Sequence, residues 1–166
     1  DTLNNLIASG DEILKIQAIL SGSLNFVFNN FTSDSSFEDV VKDAQKEGYT
    51  EPDPKIDLSG VDVARKILIL ARESGFQLDL ENIENQSFLP KEVLNTTTNN
   101  TFFEALKKYE THFQSILTKA NDKNCRLKYV AQLEGGKANV GLQEIDPNHD
   151  FYNLEGSDNI LSLIHI

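Results

Sequence analysis

The sequence holds a single cysteine, Cys125, and no methionine. One thiol forms no internal disulfide and, with no second cysteine beside it, no zinc-ligand pair, so a reducing compartment is expected. Basic residues are few: 15 Lys and Arg stand against 26 Asp and Glu, a formal net charge of −11. Binding nucleic-acid phosphates needs a clustered basic excess, so this balance argues against a nucleic-acid partner. No apolar run approaches the length of a membrane span and no signal peptide is present, so no membrane partner is expected and the chain reads as cytoplasmic. The four N-x-S/T sequons, at Asn30, Asn85, Asn95 and Asn99, then carry no meaning as glycan acceptors. The nine glycines never form G-x-G-x-x-G, so the usual dinucleotide-binding turn is missing. A start at Asp1 without any methionine is expected of a piece of a longer polypeptide.

What is present fits one globular domain. The 166 residues are 39% hydrophobic and 25% charged, enough for a single core. A short helix is expected from Thr2, closed by Gly10, and then a strand in EILKIQAIL. Ser21, Gly22 and Ser23 turn the chain into a second helix. Its first N–H groups, near Gly22 to Leu24, form either a plain serine-capped end or a seat for an anion such as a carboxylate. Ser36 to Gly48 reads as a helix with a capping-box-like start and a buried stripe of Phe37, Val40, Val41 and Ala44. Residues 76–100 are polar, rich in Asn and Thr and broken by Pro90, with room for short helical turns only. Thr101 to Lys123 reads as one long amphipathic helix, and His112 beside its aromatic stripe has no metal-ligand companion. KYVAQLE and KANVGLQEI, joined at Gly135-Gly136, form a hairpin, and a last strand begins near Asn159. The expected fold is α+β: a mixed, largely open-faced sheet covered by helices on one face.

The chain is organised around GYTEPDPKIDLSGVDVARK, Gly48 to Lys66. Pro52 and Pro54 push their neighbours towards extended geometry, which predicts a stiff non-helical loop from Thr50 to Lys55. Asp57 or Ser59 then caps a helix that stops at Gly75. On it Asp62 and Lys66 lie four residues apart on one face. Periodicity leaves two readings open for them, a solvated acid–base brace or a functional pair. Glu51, Asp53 and Asp57 make the loop acidic, but prolines occupy positions where a calcium loop has ligands.

Three segments, ILSGSLNFVFN, AQKEGYTEPDPKIDLSGVDVARKILILAR and LEGSDN, resemble the substrate-binding domain of homoserine dehydrogenase. The fixed spacing of GYTEPDP and GVDVARK makes this resemblance specific. The middle of the chain looks most like the form fused behind an aspartate kinase. The resemblance implies reversible hydride transfer between NADP or NAD and the alcohol carbon of L-homoserine, yielding L-aspartate 4-semialdehyde. It implies that residues 1–160 are the substrate-binding and catalytic domain, inactive alone, with the cofactor bound mainly by a domain absent from this sequence. Residues 161–166 are then a truncated or non-native tail, which removes His165 as a candidate ligand. By the same resemblance Lys66 transfers the proton, Asp62 is its companion carboxylate, and Glu51 holds the substrate ammonium. Tyr49, Asp57, Ser23 and Gly22 fall at further substrate-site positions, no metal is implied, and the family associates as homodimers or higher oligomers through this half. The alternative of the same fold is a non-catalytic amino-acid-binding or dimerisation module.

Overall fold

The computed structural model describes residues 2–166. Helix α1 (Thr2–Ala8) leads into strand β1 (Ile13–Ile19), helix α2 (Gly22–Asn30) and helix α3 (Phe37–Lys46). Helices α4 (Pro54–Leu58) and α5 (Val61–Glu73) follow, then the short strand β2 (Glu84–Gln86) and helices α6 (Lys91–Leu94), α7 (Asn99–Lys108) and α8 (Glu110–Asp122). Strands β3 (Arg126–Glu134), β4 (Lys137–Ile145) and β5 (Ile160–His165) complete the chain. The strand order is β2-β4-β3-β1-β5. Only β2 runs parallel to its neighbour, so the sheet is mixed, as expected for this α+β fold.

Alternation along the strands decides what each face meets. Ile16, Leu127, Tyr129, Leu133 and Val140 point into the main core, against Leu24, Phe37, Ile67 and Phe113 from the helical layer. The opposite face is largely open. A local cluster of Ile19, Val130 and Ile145 is covered there by Phe151, from the β4–β5 connection. The β3–β4 hairpin turns on Gly135 and Gly136, at φ 57° and 74°, a pair of left-handed positions that glycine occupies without steric cost.

Four local features depart from the sequence expectation. Pro54 opens α4 instead of holding the loop extended to Lys55, because its fixed φ suits the first helical position and its missing N–H has no partner to lose there. The Asp53 carboxylate accepts from Lys55 N–H at 3.1 Å and caps that end. Neither Asp57 nor Ser59 caps α5: Ser59 closes α4, and Gly60, at φ 75°, leads into α5. The predicted helix from Thr101 to Lys123 is two helices that meet at Tyr109. That break brings the Glu110 carboxylate onto Phe37 N–H, at 3.0 and 3.2 Å from its two oxygens, where a negative charge faces the positive end of α3. Within residues 76–100, where the sequence pattern shows no strand, β2 pairs Glu84, Asn85 and Gln86 with Asn139, Val140 and Gly141.

At the other edge, β5 runs through His165 and pairs with β1 from Ile160 to His165. Glu12 and Ile166 exchange both backbone hydrogen bonds, at 2.8 and 3.1 Å. The His165 ring lies 2.9 Å from Asp11 Oδ2.

Candidate active site

Four pieces of chain converge on one cleft of about 340 Å³, lined by Ser21, Gly22, Ser23, Gly48, Tyr49, Glu51, Asp57, Asp62, Lys66 and Ser157. The first piece is the start of α2. Ser21 Oγ accepts from Leu24 N–H at 3.2 Å and lies 3.0 Å from Ser23 Oγ. The Ser23 hydroxyl donates to Asp57 Oδ1 at 3.1 Å. Both serines are buried, so their hydroxyls stay in register with α2.

The second piece is the acidic loop. Asp57 accepts from Ser23 with one oxygen and from Glu51 N–H, at 2.9 Å, with the other. One carboxylate thus ties the loop to α2, and it does so from α4, the helix that Asp53 caps and Pro54 opens. Pro52 is held through its carbonyl by Gln45 and Asn99, at 3.1 and 2.8 Å, and the Lys55 ammonium donates to the Thr96 carbonyl. Tyr49 stacks on Phe26 with ring centroids 4.3 Å apart. These ties leave the Glu51 carboxylate exposed at the mouth of a rigid frame.

The third piece is α5. The Lys66 ammonium donates to the Leu20 carbonyl at 2.9 Å and lies 2.7 Å from Asp62 Oδ2. Two of its three N–H groups are therefore committed, and the third faces no protein acceptor among the described residues. The side chains of Asp62 and Lys66 are 55% and 46% exposed. Geometry at the start of α5 sets where this pair stands. A Cβ on Gly60 would overlap the Tyr129 hydroxyl and come within 2.8 Å of Tyr129 Cζ, so glycine is required both for its φ and for space. Tyr129 donates to Asn85 Oδ1 at 3.2 Å, and Asn85 Nδ2 donates to the Ser59 carbonyl at 3.0 Å. Burial pushes the Tyr129 hydroxyl up to about 12.

All seven site residues named from the sequence line this cleft. Ser21, Gly48 and Ser157 are additional. Ser157 arrives from the fourth piece, the β4–β5 connection, residues 146–159, and its backbone carbonyl lies 2.9 Å from where a Cβ on Gly22 would stand. Behind that connection lies a residue that carries no sequence signal. Lys128 on β3 is fully buried and donates to Asn29 Oδ1 at 2.6 Å, to Asn25 Oδ1 at 3.3 Å and to the Leu154 carbonyl. Burial, helped by nearby Arg126, lowers its ammonium to about 8.

Three carboxylates and one ammonium give the cleft an excess of negative charge around a small volume. That suits a small zwitterion, its ammonium against Glu51 and its carboxylate towards the start of α2. Among the described residues no helix is long and apolar enough to cross a membrane.

Compared with known proteins, the chain matches the homoserine dehydrogenase family over residues 1–165. It is 38% identical, over 97% of its length, to homoserine dehydrogenase of Saccharomyces cerevisiae, of which it spans 47%. It is 42% identical, again over 97% of its length, to a chloroplastic bifunctional aspartokinase/homoserine dehydrogenase of Arabidopsis thaliana, of which it spans 18%. A crystal structure of a Candida auris protein of unknown function superimposes with a TM-score of 0.92 at 40% identity, covering 99% of this chain and 48% of that one. The chain thus spans less than half the length of each of these relatives.

Proposed function

The chain belongs to the homoserine dehydrogenase family, and from that premise we propose that it is the part of the enzyme that holds L-homoserine or L-aspartate 4-semialdehyde during NAD(P)-dependent interconversion. The observation that carries this reading is the meeting of Lys66, Asp62, Glu51, Asp57 and Ser23 in one cleft of amino-acid size. NAD or NADP, bound mainly by residues outside this chain, supplies or accepts the hydride. The residues here bind, orient and move a proton.

Glu51 pairs with the substrate ammonium and Tyr49 walls the same side. The first backbone N–H groups of α2, from Gly22 and Ser23 on, take the substrate carboxylate, while the Ser23 hydroxyl, donated to Asp57, fixes that turn. Lys66 faces the reacting oxygen: it gives a proton from Nζ to the aldehyde oxygen as that oxygen gains charge, and takes it back from the hydroxyl in the other direction. Asp62 and the Leu20 carbonyl hold Nζ in place by accepting from it. Asp57 acts through Ser23 and the Glu51 backbone, and is a positioning residue.

We place the enzyme in the cytoplasm and in the branch of amino-acid biosynthesis leading to threonine, methionine and isoleucine; a fused aspartate kinase is named in some of its relatives and not in others. Assembly as a homodimer or higher oligomer is supported by the open sheet face and by the β5 edge, where Ile164 is 53% exposed.

The test is turnover. The enzyme carrying this chain oxidises L-homoserine with NAD or NADP, and residues 1–166 alone do not. An enzyme inert towards homoserine and aspartate 4-semialdehyde would sink the proposal. Isothermal titration of the chain with homoserine, then with calcium, separates amino-acid binding from cation binding by the acidic loop.

A further inference from the structure

The buried ammonium of Lys128 stands outside the cleft, yet everything it touches leads there. It sits on the face of β3 that the connection between β4 and β5 covers, with no exposed side-chain surface. Its three hydrogen bonds end on carbonyl-type oxygens: Asn25 Oδ1, Asn29 Oδ1 and the Leu154 backbone. Three acceptors facing one nitrogen require three N–H groups, which an ammonium has and a neutral amine does not. The two amides relay the contact. Asn25 Nδ2 donates to the Asp158 carbonyl at 3.1 Å, and Asn29 Nδ2 to the Leu154 and Gly156 carbonyls at 3.2 and 3.0 Å. Lys128 therefore orients the two amides whose N–H groups hold residues 154–158, and it binds that segment itself.

Asn25 and Asn29 belong to α2, the same helix whose first turn carries Gly22 and Ser23 into the cleft. Residues 154–158 carry Ser157, which lies against Gly22 and lines the same cleft. We propose that Lys128 is a positioning residue for the substrate cleft: through Asn25 and Asn29 it locks residues 154–158 onto α2, so that Ser157 and the start of α2 form one fixed wall. This rests on the functional reading above, because the cleft is the one assigned to homoserine. The Asn pair lies one helical turn apart, so a single face of α2 receives all of these bonds. Phe151, buried beside Ile19, Val130 and Ile145, anchors the same connection further back, and Arg126 holds it at the Tyr152 carbonyl, at 3.0 Å. Those two anchors grip the connection before Leu154, whereas the carbonyls of Leu154, Gly156 and Asp158 are held by Lys128 and its two amides.

The experiment uses the whole enzyme. Lys128→Met removes the donors while keeping an unbranched apolar stem. The expected result is a rise in the KM for homoserine of about tenfold, the worth of one or two lost hydrogen bonds, with the KM for the nicotinamide nucleotide unchanged. Amide exchange at residues 154–158 speeds up in parallel. A purely structural role predicts a different split, since partial unfolding lowers apparent kcat and leaves the KM of the surviving molecules alone. Should Lys128→Met fail to fold, Asn29→Ala gives the same reading: it removes the two bonds to Leu154 and Gly156 from a half-buried helix position. Homoserine KM unchanged in a folded Lys128→Met or Asn29→Ala enzyme overturns the positioning role while the function stands. A wild-type enzyme with no homoserine turnover overturns both.

Discussion

Two lysines donate to backbone carbonyls on either side of α2, and they do so in opposite surroundings. Lys66 reaches the Leu20 carbonyl from α5 with nearly half its side chain in solvent and a carboxylate beside it. Lys128 reaches the Leu154 carbonyl from β3 with no exposed surface, and its side-chain acceptors are neutral amides. The exposed lysine carries little of the fold, because a solvated helix pair contributes about 0.2–0.5 kcal/mol. Its exposure is what the proposed proton transfer needs, since one N–H is left without a partner among the described residues. The buried lysine spends every donor on the protein. Accessibility to water therefore sets apart the lysine proposed to act on substrate from the one proposed to arrange the wall around it.

The largest test of that contrast is Lys66→Ala in the whole enzyme. We expect kcat to fall about 10²–10⁴-fold, the usual worth of a positioned acid or base, with stability changed by only a few tenths of a kcal/mol. Steady-state kinetics beside a thermal melt reads both quantities, and near-normal kcat in a folded variant returns the pair to a surface brace. Next in size is Gly60→Ala, which attacks the support beneath Lys66. A left-handed φ and the collision with Tyr129 predict a stability loss of about 2–4 kcal/mol by urea denaturation. An unchanged midpoint would mean that the start of α5 tolerates a different backbone. Glu51→Gln is smaller and acts on binding: the homoserine KM rises about tenfold while the nucleotide's KM stays put, as expected for one lost charge-assisted contact.

A separate test reads pH dependence, and it belongs to the buried side. Lys128 titrates at about 8 in the fold against an ordinary 10.5, so between those values the unfolded chain binds more protons and stability rises with pH. Tyr129, next to it in sequence, has the opposite sign. Its hydroxyl stays neutral up to about 12 in the fold against an ordinary 10.0, so stability falls between those values. Chemical denaturation across the alkaline range should therefore show a rise followed by a fall. Lys128→Met should abolish the rise, and Tyr129→Phe the fall; a flat profile for the wild type counts against both shifts.

The same contrast decides what is legible in the sequence. The region of Lys66 is legible through resemblance: GYTEPDP, GVDVARK and the SGS turn match the family's blocks, and the seven residues read from that resemblance meet in space. The hairpin and β1 are legible from alternation. Lys128 is not, because in a strand it occupies a polar position of the alternation, and only a connection arriving after β4 covers it. Strand β2 escapes the pattern for a related reason. Its residues Glu84, Asn85 and Gln86 are all exposed and show no apolar alternation, so its pairing comes from β4. The junction before α5 misleads because Ser59 and Asp57 have good capping chemistry. The decisive partners of Gly60 are Tyr129 and Asn85, far away in sequence. The break at Tyr109 is hidden by apolar residues that keep helical spacing on both sides of it, while the contact that accompanies it, Glu110 meeting the start of α3, is tertiary.

The exchange of backbone hydrogen bonds between Glu12 and Ile166 has a mechanical consequence. These residues face each other at one end of the antiparallel β1–β5 pair, so a load applied between them is perpendicular to the strands. The pair then opens as a zip, with its bonds loaded in succession rather than together. Force applied at this corner peels β5 away first, while α2, the cleft and the covered face of β3 remain folded behind it.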